Sequence, residues 1–320
     1  MVFAGAIKLN KRGYALAALL ILLFIYYIQV QYSHSDDINV SQLLKTAIIA
    51  ANLGGKFVVN TKNHLSVHVK GKTKEGMDDS VTTADLLSHC VMKQLIERRL
   101  PNVKFISEEK EVDCEEDLSG TLMDPETSLT EDVAVRGSDV TIWIDPLDAT
   151  HEYTEKLYEY VTTMVCVAVK GEPLIGVIYK PFSETTFWAV VGYGHSNNLK
   201  PKANNAKSDK TKIIVSRSHR GAIEKVLEEN FKHTPYEMVI AAGAGYKALE
   251  VAEGSVDAYL HITAIKKWDI CAGNAILKAL GGKMTDKNGN SLTYFNETNV
   301  LNEHGLIATL NNHEQFVNKI

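Results

Sequence analysis

Acidic side chains placed at strand and helix ends are the residues of this sequence whose types and spacing could do chemistry. In Trp143-Ile-Asp145-Pro-Leu147-Asp148-Ala-Thr150, an apolar strand from Thr141 to Ile144 runs into a turn carrying two carboxylates. Pro146 fixes the backbone between them, so Asp145 and Asp148 can aim at one point with the Leu147 carbonyl in between. Hard oxygen donors on a rigid turn suit Mg²⁺. The same residues also read as an Asp-Pro turn with Asp148 capping the next helix. Glu108-Glu109 close another strand, where functional groups of open α/β layers collect. Asp269, in Trp268-Asp-Ile-Cys-Ala-Gly273, begins a helix ended by Gly281-Gly282. Asp85, in Val81-Thr-Thr-Ala-Asp85, stands early in another. Asp269 and Asp85 also read as helix caps. Taken together, the four segments point to a metal centre.

The elements that must position them follow from periodicity. Ser41 to Val59 has apolar residues at helical spacing with Ser41 at the N-cap position, and a second amphipathic helix runs from about Thr83 to Arg99, stopped by Pro101. Between them, the basic stretch Lys70-Gly-Lys72-Thr-Lys74-Glu-Gly76 reads as a loop, solvated or closing over an anion, and no site role is assigned to it. Strands are expected at 103–107, 139–145, 162–169, 174–179 and 185–191, with an acidic surface insertion at 110–138. A Lys/Asn-rich stretch, 196–210, marks a seam. Beyond it, strands 212–216, 237–241, 256–262 and 305–310 alternate with helices 221–231, 245–253 and 269–280. The fold class is α/β, with an antiparallel-rich α+β N-terminal half.

Composition sets the outer bounds. With 320 residues, 45% hydrophobic, and 34 Lys+Arg against 39 Asp+Glu, the chain is globular and carries no general nucleic-acid coat. Four Cys are too few for a disulfide scaffold; Cys90, Cys114, Cys166 and Cys271 show no metal-type spacing, and Cys166 and Cys271, lying in apolar runs, are expected as buried free thiols. Residues 14–30 are uncharged and apolar on every face, long enough to cross a thin bilayer. Lys8, Lys11 and Arg12 precede them and Asp36-Asp37 follow, so 1–13 is expected as a cytoplasmic tail, with everything after Val30 lumenal or outside. In that topology Asn39 and Asn296 become glycosylation candidates.

The Asp-Pro-Leu-Asp-Ala-Thr segment, the Glu-Glu pair, Thr-Thr-Ala-Asp and Trp-Asp-Ile-Cys-Ala-Gly, in this order, resemble the motifs of the inositol monophosphatase superfamily of lithium-sensitive, Mg²⁺-dependent phosphatases. The resemblance covers roughly 41–320 and implies a layered αβαβα sandwich. The superfamily usually has Gly where Ala149 stands; the Asp-Ala-Thr form, with Ile265-Lys-Lys before Trp268, resembles a Golgi-resident branch acting on 3′-phosphoadenosine 5′-phosphate. It implies a single-pass type II Golgi membrane protein with a metal-binding α+β part at 31–200 and a nucleotide-recognition α/β part at 201–320. Glu108, Asp145 and the Leu147 carbonyl would hold one Mg²⁺; Asp145, Asp148 and Asp269 a second; a third would sit near Glu109. Thr150, paired with Asp85, would orient and deprotonate a water. Ser218, His219, Gly245, Lys247 and Thr150 would contact the nucleotide. The rivals are an inositol-phosphate hydrolase, a lumenal glycosyltransferase sharing the anchor, and an inactive lumenal binding protein.

Overall fold

A computed structural model describes residues 11–34, 36–64, 66–72, 78–110, 114, 123–201, 209–295 and 299–320; side chains of 27–34, 78 and 79 lie outside that description. The chain begins with helix α1 (Lys11–His34), strand β1 (Asp37–Asn39) and helix α2 (Val40–Thr61). A hairpin, β2 (Val67–Lys72) with β3 (Asp78–Thr82), precedes helix α3 (Thr83–Arg99) and strand β4 (Lys104–Ser107). Next come β5 (Ala134–Arg136), β6 (Val140–Asp148), helix α4 (Thr150–Thr154), β7 (Thr162–Val169), β8 (Glu172–Lys180), β9 (Thr185–Val190) and β10 (Gly194–His195). The C-terminal half runs β11 (Thr211–Ser216), α5 (Ile223–Asn230), β12 (Tyr236–Ala241), α6 (Ala244–Ala252), β13 (Ala258–His261), β14 (Ile265–Lys266) and α7 (Lys267–Ala279). It closes with β15 (Lys283–Thr285), β16 (Leu301–Asn302), β17 (Leu306–Thr309) and α8 (His313–Val317).

Two sheets carry the architecture. The first has the order β10-β9-β8-β7-β6-β4, antiparallel except for the parallel pair β4–β6. The second has the order β12-β11-β13-β17-β15, with its first three strands parallel. Successive strand residues face opposite layers. Ile142, Val165 and Val177 pack under Leu43, Ile48 and Leu95 of α2 and α3. Trp143, Met164 and Ile178 pack instead against Ile270 and Ile276 of α7, which also meet Ile214 and Tyr259 of the second sheet. That sheet's outer face buries Ile213 and Val215 under Ile223 and Leu227 of α5 and Phe316 of α8. The result is the αβαβα sandwich. Burial on both faces explains why β6 and β7 are almost continuously apolar.

Several local expectations change. The first residues of the stretch read as a loop, 70–72, belong to strand β2, with Val67 paired to Thr82 and Lys72 to Asp78; 73–77, Lys74 among them, lie outside the described residues. The N-cap position of α2 is Asn39, two residues before the expected Ser41 and without a side-chain cap bond, and Ser41 instead donates its hydroxyl to Asp132 at 2.7 Å. The acidic insertion contributes β5, which pairs with β1.

The cysteine expectation is overturned. Cys166 is joined to Cys271 and Cys90 to Cys114, leaving no free thiol among the described residues. Apolar neighbours report burial, which a disulfide and a thiol share. Among the described residues no helix is long and apolar enough to cross a membrane. Helix α1 nonetheless exposes large apolar side chains, Leu16, Leu19, Leu22 and Phe24 among them. Asn39 is exposed, while Asn296 lies outside the described residues.

Candidate active site

Strand β6 delivers the Asp-Pro-Leu-Asp segment to the sheet edge. Its pairing with β7 shifts between Asp145 and Asp148, so the proline-containing turn bulges out of the ladder. Leu147 N–H donates to Asp145 Oδ1 at 3.1 Å, and Ser88 Oγ donates to the Pro146 carbonyl at 2.7 Å. Ala149 follows in the left-handed region, φ 69°, which costs an L-residue roughly 1–2 kcal/mol and explains why glycine suits this position. Asp148 ends the strand and is no helix cap; Ala149 occupies that place.

Asp148 is instead held by the N-terminus of α6. Ala244 N–H donates to its Oδ1 at 3.0 Å, Gly245 N–H to its Oδ2 at 2.8 Å, and Thr162 Oγ1 to Oδ2 at 3.1 Å. Here glycine is required for space. A Cβ on Gly245 would lie 2.5 Å from Thr162 Oγ1, and one on Gly243, at φ 66°, would lie 2.6 Å from the Tyr160 carbonyl. Lys247 is buried, donates to the Gly243 carbonyl at 2.5 Å, and lies over the Tyr259 ring. Burial pushes its ammonium down to about 8, against the attraction of Asp148. Of the residues expected at the nucleotide, Gly245 gives its N–H to Asp148 and Lys247 gives its ammonium to the Gly243 carbonyl.

Thr150 and Asp85 meet as the sequence led us to expect. Thr150 Oγ1 lies 2.9 Å from Asp85 Oδ1 and 3.0 Å from the Leu147 carbonyl. Asp85 stands in the first turn of α3, where Thr82 N–H and Thr82 Oγ1 donate to its Oδ2 at 2.7 and 2.6 Å, a capping box. Burial raises the Asp85 carboxyl to about 6, although the Thr82 hydrogen bonds oppose the rise. A cap and a proton acceptor are here the same residue.

Glu108 and Glu109 leave the end of β4 and meet a cation that sequence reasoning left without a role. Lys70 Nζ, on β2, is 3.4 Å from Glu108 Oε1 and also bonded to Glu109 Oε1. Burial works against the charged ammonium, but Glu108 and Glu109 raise its pKa overall. The basic run at 70–74 was the available signal. Asp269 occupies the first turn of α7 and accepts from Lys266 N–H at 3.3 Å.

Among the described residues no three His, Cys, Asp or Glu side chains stand close enough to enclose a metal as they are. The donor chemistry nevertheless fits a hard divalent cation. Burial, followed by the Glu108, Asp148 and Asp269 charges, pushes the Asp145 carboxyl well up. Burial, Glu108 and Asp148 do the same to Asp269, and burial raises Asp148 against Lys247. These carboxylates are short of positive charge. The predicted nucleotide contacts Ser218 and His219 lie apart from this cluster in sequence, after β11; Ser218 Oγ is 3.1 Å from His219 Nδ1, and His219 N–H donates to Ser216 Oγ at 3.0 Å.

The model of the inositol monophosphatase family matches residues 39–320. This chain belongs to the inositol monophosphatase family. Membership makes it a phosphoric monoester hydrolase. The mouse Golgi-resident adenosine 3′,5′-bisphosphate 3′-phosphatase is 46% identical over 303 residues, 90% of this chain and 83% of the mouse protein. Inositol monophosphatase 3 of Xenopus tropicalis is 44% identical over 299 residues, 89% of this chain and 82% of that one. In structure, the extragenic suppressor protein suhB from Bartonella henselae matches with a TM-score of 0.64 at 19% identity, over 85% of this chain and 95% of its own. An IMPase/NADP phosphatase complexed with Mg²⁺ and phosphate gives 0.60 at 17% identity, over 82% and 89%. These structures share the family's α/β fold, and Mg²⁺ is the cofactor expected in such a fold.

Proposed function

We propose that this phosphatase removes the 3′-phosphate of 3′-phosphoadenosine 5′-phosphate, giving AMP and phosphate, in a Mg²⁺-dependent and lithium-sensitive reaction. The observation that carries the mechanism is the Thr150–Asp85 contact beside the cation-poor carboxylates of β6 and α7. Glu108, Asp145 and the Leu147 carbonyl would hold one Mg²⁺, and Asp145, Asp148 and Asp269 a second, with a third near Glu109. Bound there, the cations would draw charge from the phosphoryl oxygens and acidify a water. The chain's own groups handle the proton. With Asp85 ionised, Thr150 Oγ1 donates to it and turns a lone pair toward the attacking water. The water oxygen attacks phosphorus, its proton passes through Thr150 to Asp85, and the ribose 3′-oxygen leaves and is protonated from solvent.

The name of the mouse relative supports the nucleotide, and Ser218, His219, Thr150, Gly245 and Lys247 would contact it, Gly245 also holding Asp148. The name of the Xenopus relative favours a second reading, an inositol monophosphate in the same centre. Residues 14–30 would anchor the chain, 1–13 would stay cytoplasmic, and the catalytic part would face the Golgi lumen. The exposed apolar face of α1 and the two disulfides, which persist in oxidising compartments, support that topology. Asp148→Ala tests the mechanism through phosphate release: a loss of roughly 10²-fold or more is expected for a group at the reacting centre, and activity surviving intact would overturn it.

A further inference from the structure

Beneath the Ser218–His219 turn lies a buried histidine that the mechanism does not use. His261, at the end of β13, is 5% exposed, and its Nδ1 has no hydrogen-bond partner among the described residues. Buried polar atoms are nearly always satisfied, so this one calls for a reason. Its other nitrogen, Nε2, is 2.9 Å from Thr263 Oγ1 and 3.4 Å from the Ala264 carbonyl. A carbonyl can only accept, so Nε2 carries the proton and Nδ1 is left as a bare acceptor. The one Nε2–H is shared between the Ala264 carbonyl and, at the shorter distance, Thr263 Oγ1, whose own proton is directed to the His219 carbonyl at 3.4 Å.

Thr263 holds the turn at both ends. Its hydroxyl reaches His219, and its methyl packs against Gly221, where a Cβ would lie 2.8 Å from Thr263 Cγ2. The His261 and His219 rings are 6.5 Å apart, tilted by 34°. A direct role for His261 on substrate is disfavoured by its burial; a role through Thr263 is favoured by the direction of the relay.

We propose that His261 and Thr263 are positioning residues for nucleotide recognition, fixing the turn that presents Ser218 and His219. The proposal rests on the reading that this turn meets the nucleotide. The orphaned Nδ1 is the cost of replacing a simple apolar filler by a histidine that can donate to Thr263.

The test uses the full-length enzyme in detergent, with 3′-phosphoadenosine 5′-phosphate and, as a substrate without a base, glycerol 2-phosphate. Thr263→Val keeps the methyl contact and removes the relay. It is expected to raise KM for the nucleotide about tenfold, the effect of one lost hydrogen bond, with kcat changed less than about twofold. Glycerol 2-phosphate kinetics should be unmoved, and Thr263→Ser should restore the nucleotide KM. His261→Leu should raise the same KM without lowering Tm, because it removes the orphaned nitrogen. Unchanged nucleotide KM in Thr263→Val and His261→Leu, or equal losses on both substrates, would overturn the proposal. His219→Ala separates the two levels. If it raises KM while Thr263→Val does not, the relay alone fails; if it has no effect, the nucleotide reading of the turn fails and the relay with it.

Discussion

At the scale of single residues, Asp85 joins structure to chemistry. Its carboxylate satisfies the orphan Thr82 N–H of α3 and receives the Thr150 hydroxyl at 2.9 Å. Burial puts its pKa at about 6, where an ordinary aspartate titrates near 3.8. Below about pH 6 the group is protonated and cannot accept the Thr150 proton, so turnover should fall as pH drops through that value. Asp85→Asn should lose the dependence along with roughly 10²- to 10⁴-fold in kcat, the usual contribution of a positioned base. A pH–kcat profile of both enzymes checks this, and an unchanged acid limb in the variant would contradict it. Lys70 shows the reverse limit of sequence reading. One cation in a basic run looks like any other until β2 folds it onto Glu108 and Glu109.

At the scale of elements, the disulfide between Cys166 and Cys271 ties β7 to α7, the helix that bears Asp269. It closes a loop of 105 residues, so replacing both cysteines by alanine should cost about 2–5 kcal/mol, read as a fall in denaturation midpoint. An unchanged midpoint would show that packing alone holds α7. Most elements were legible from periodicity. Helix α3, strand β7 and the alternation from β11 to α7 follow directly from spacing and from Pro101 and Gly281. What spacing cannot give is which distant partners meet. The pairing of four cysteines has several solutions. The lysine-rich stretch lacked the alternation that marks a strand, and the hairpin is set by pairing with β3. Nor can spacing show that the Gly243–Lys247 turn receives Asp148, brought from a strand 96 residues away.

At the scale of the whole molecule, charge and stability are coupled through the carboxylates. Asp145, Asp148 and Asp269 have raised pKa values in the folded chain, so the native state binds more protons than the unfolded one above about pH 3.8. Without a cation, stability falls as pH rises through that window. Mg²⁺ held by these carboxylates as proposed would replace those protons and should restore it, giving about 2.7 kcal/mol at a hundredfold excess over Kd. Melting curves with Mg²⁺ and with a chelator should therefore diverge more at pH 8 than at pH 5.5; equal Mg²⁺ shifts at both would contradict the linkage. The same charges make sense of an acidic chain that handles a multiply charged anion, since bound divalent ions reverse the local sign.

The most direct test of the function is the ratio of kcat/KM values for 3′-phosphoadenosine 5′-phosphate and inositol 1-phosphate, measured on the full-length enzyme with Mg²⁺. The expected result is a preference for the nucleotide of about 10²-fold or more, with AMP bearing only its 5′-phosphate as product, because a site that pairs with the nucleotide's polar groups rejects analogues that lack them. Equal rates, or preference for inositol 1-phosphate, would contradict it.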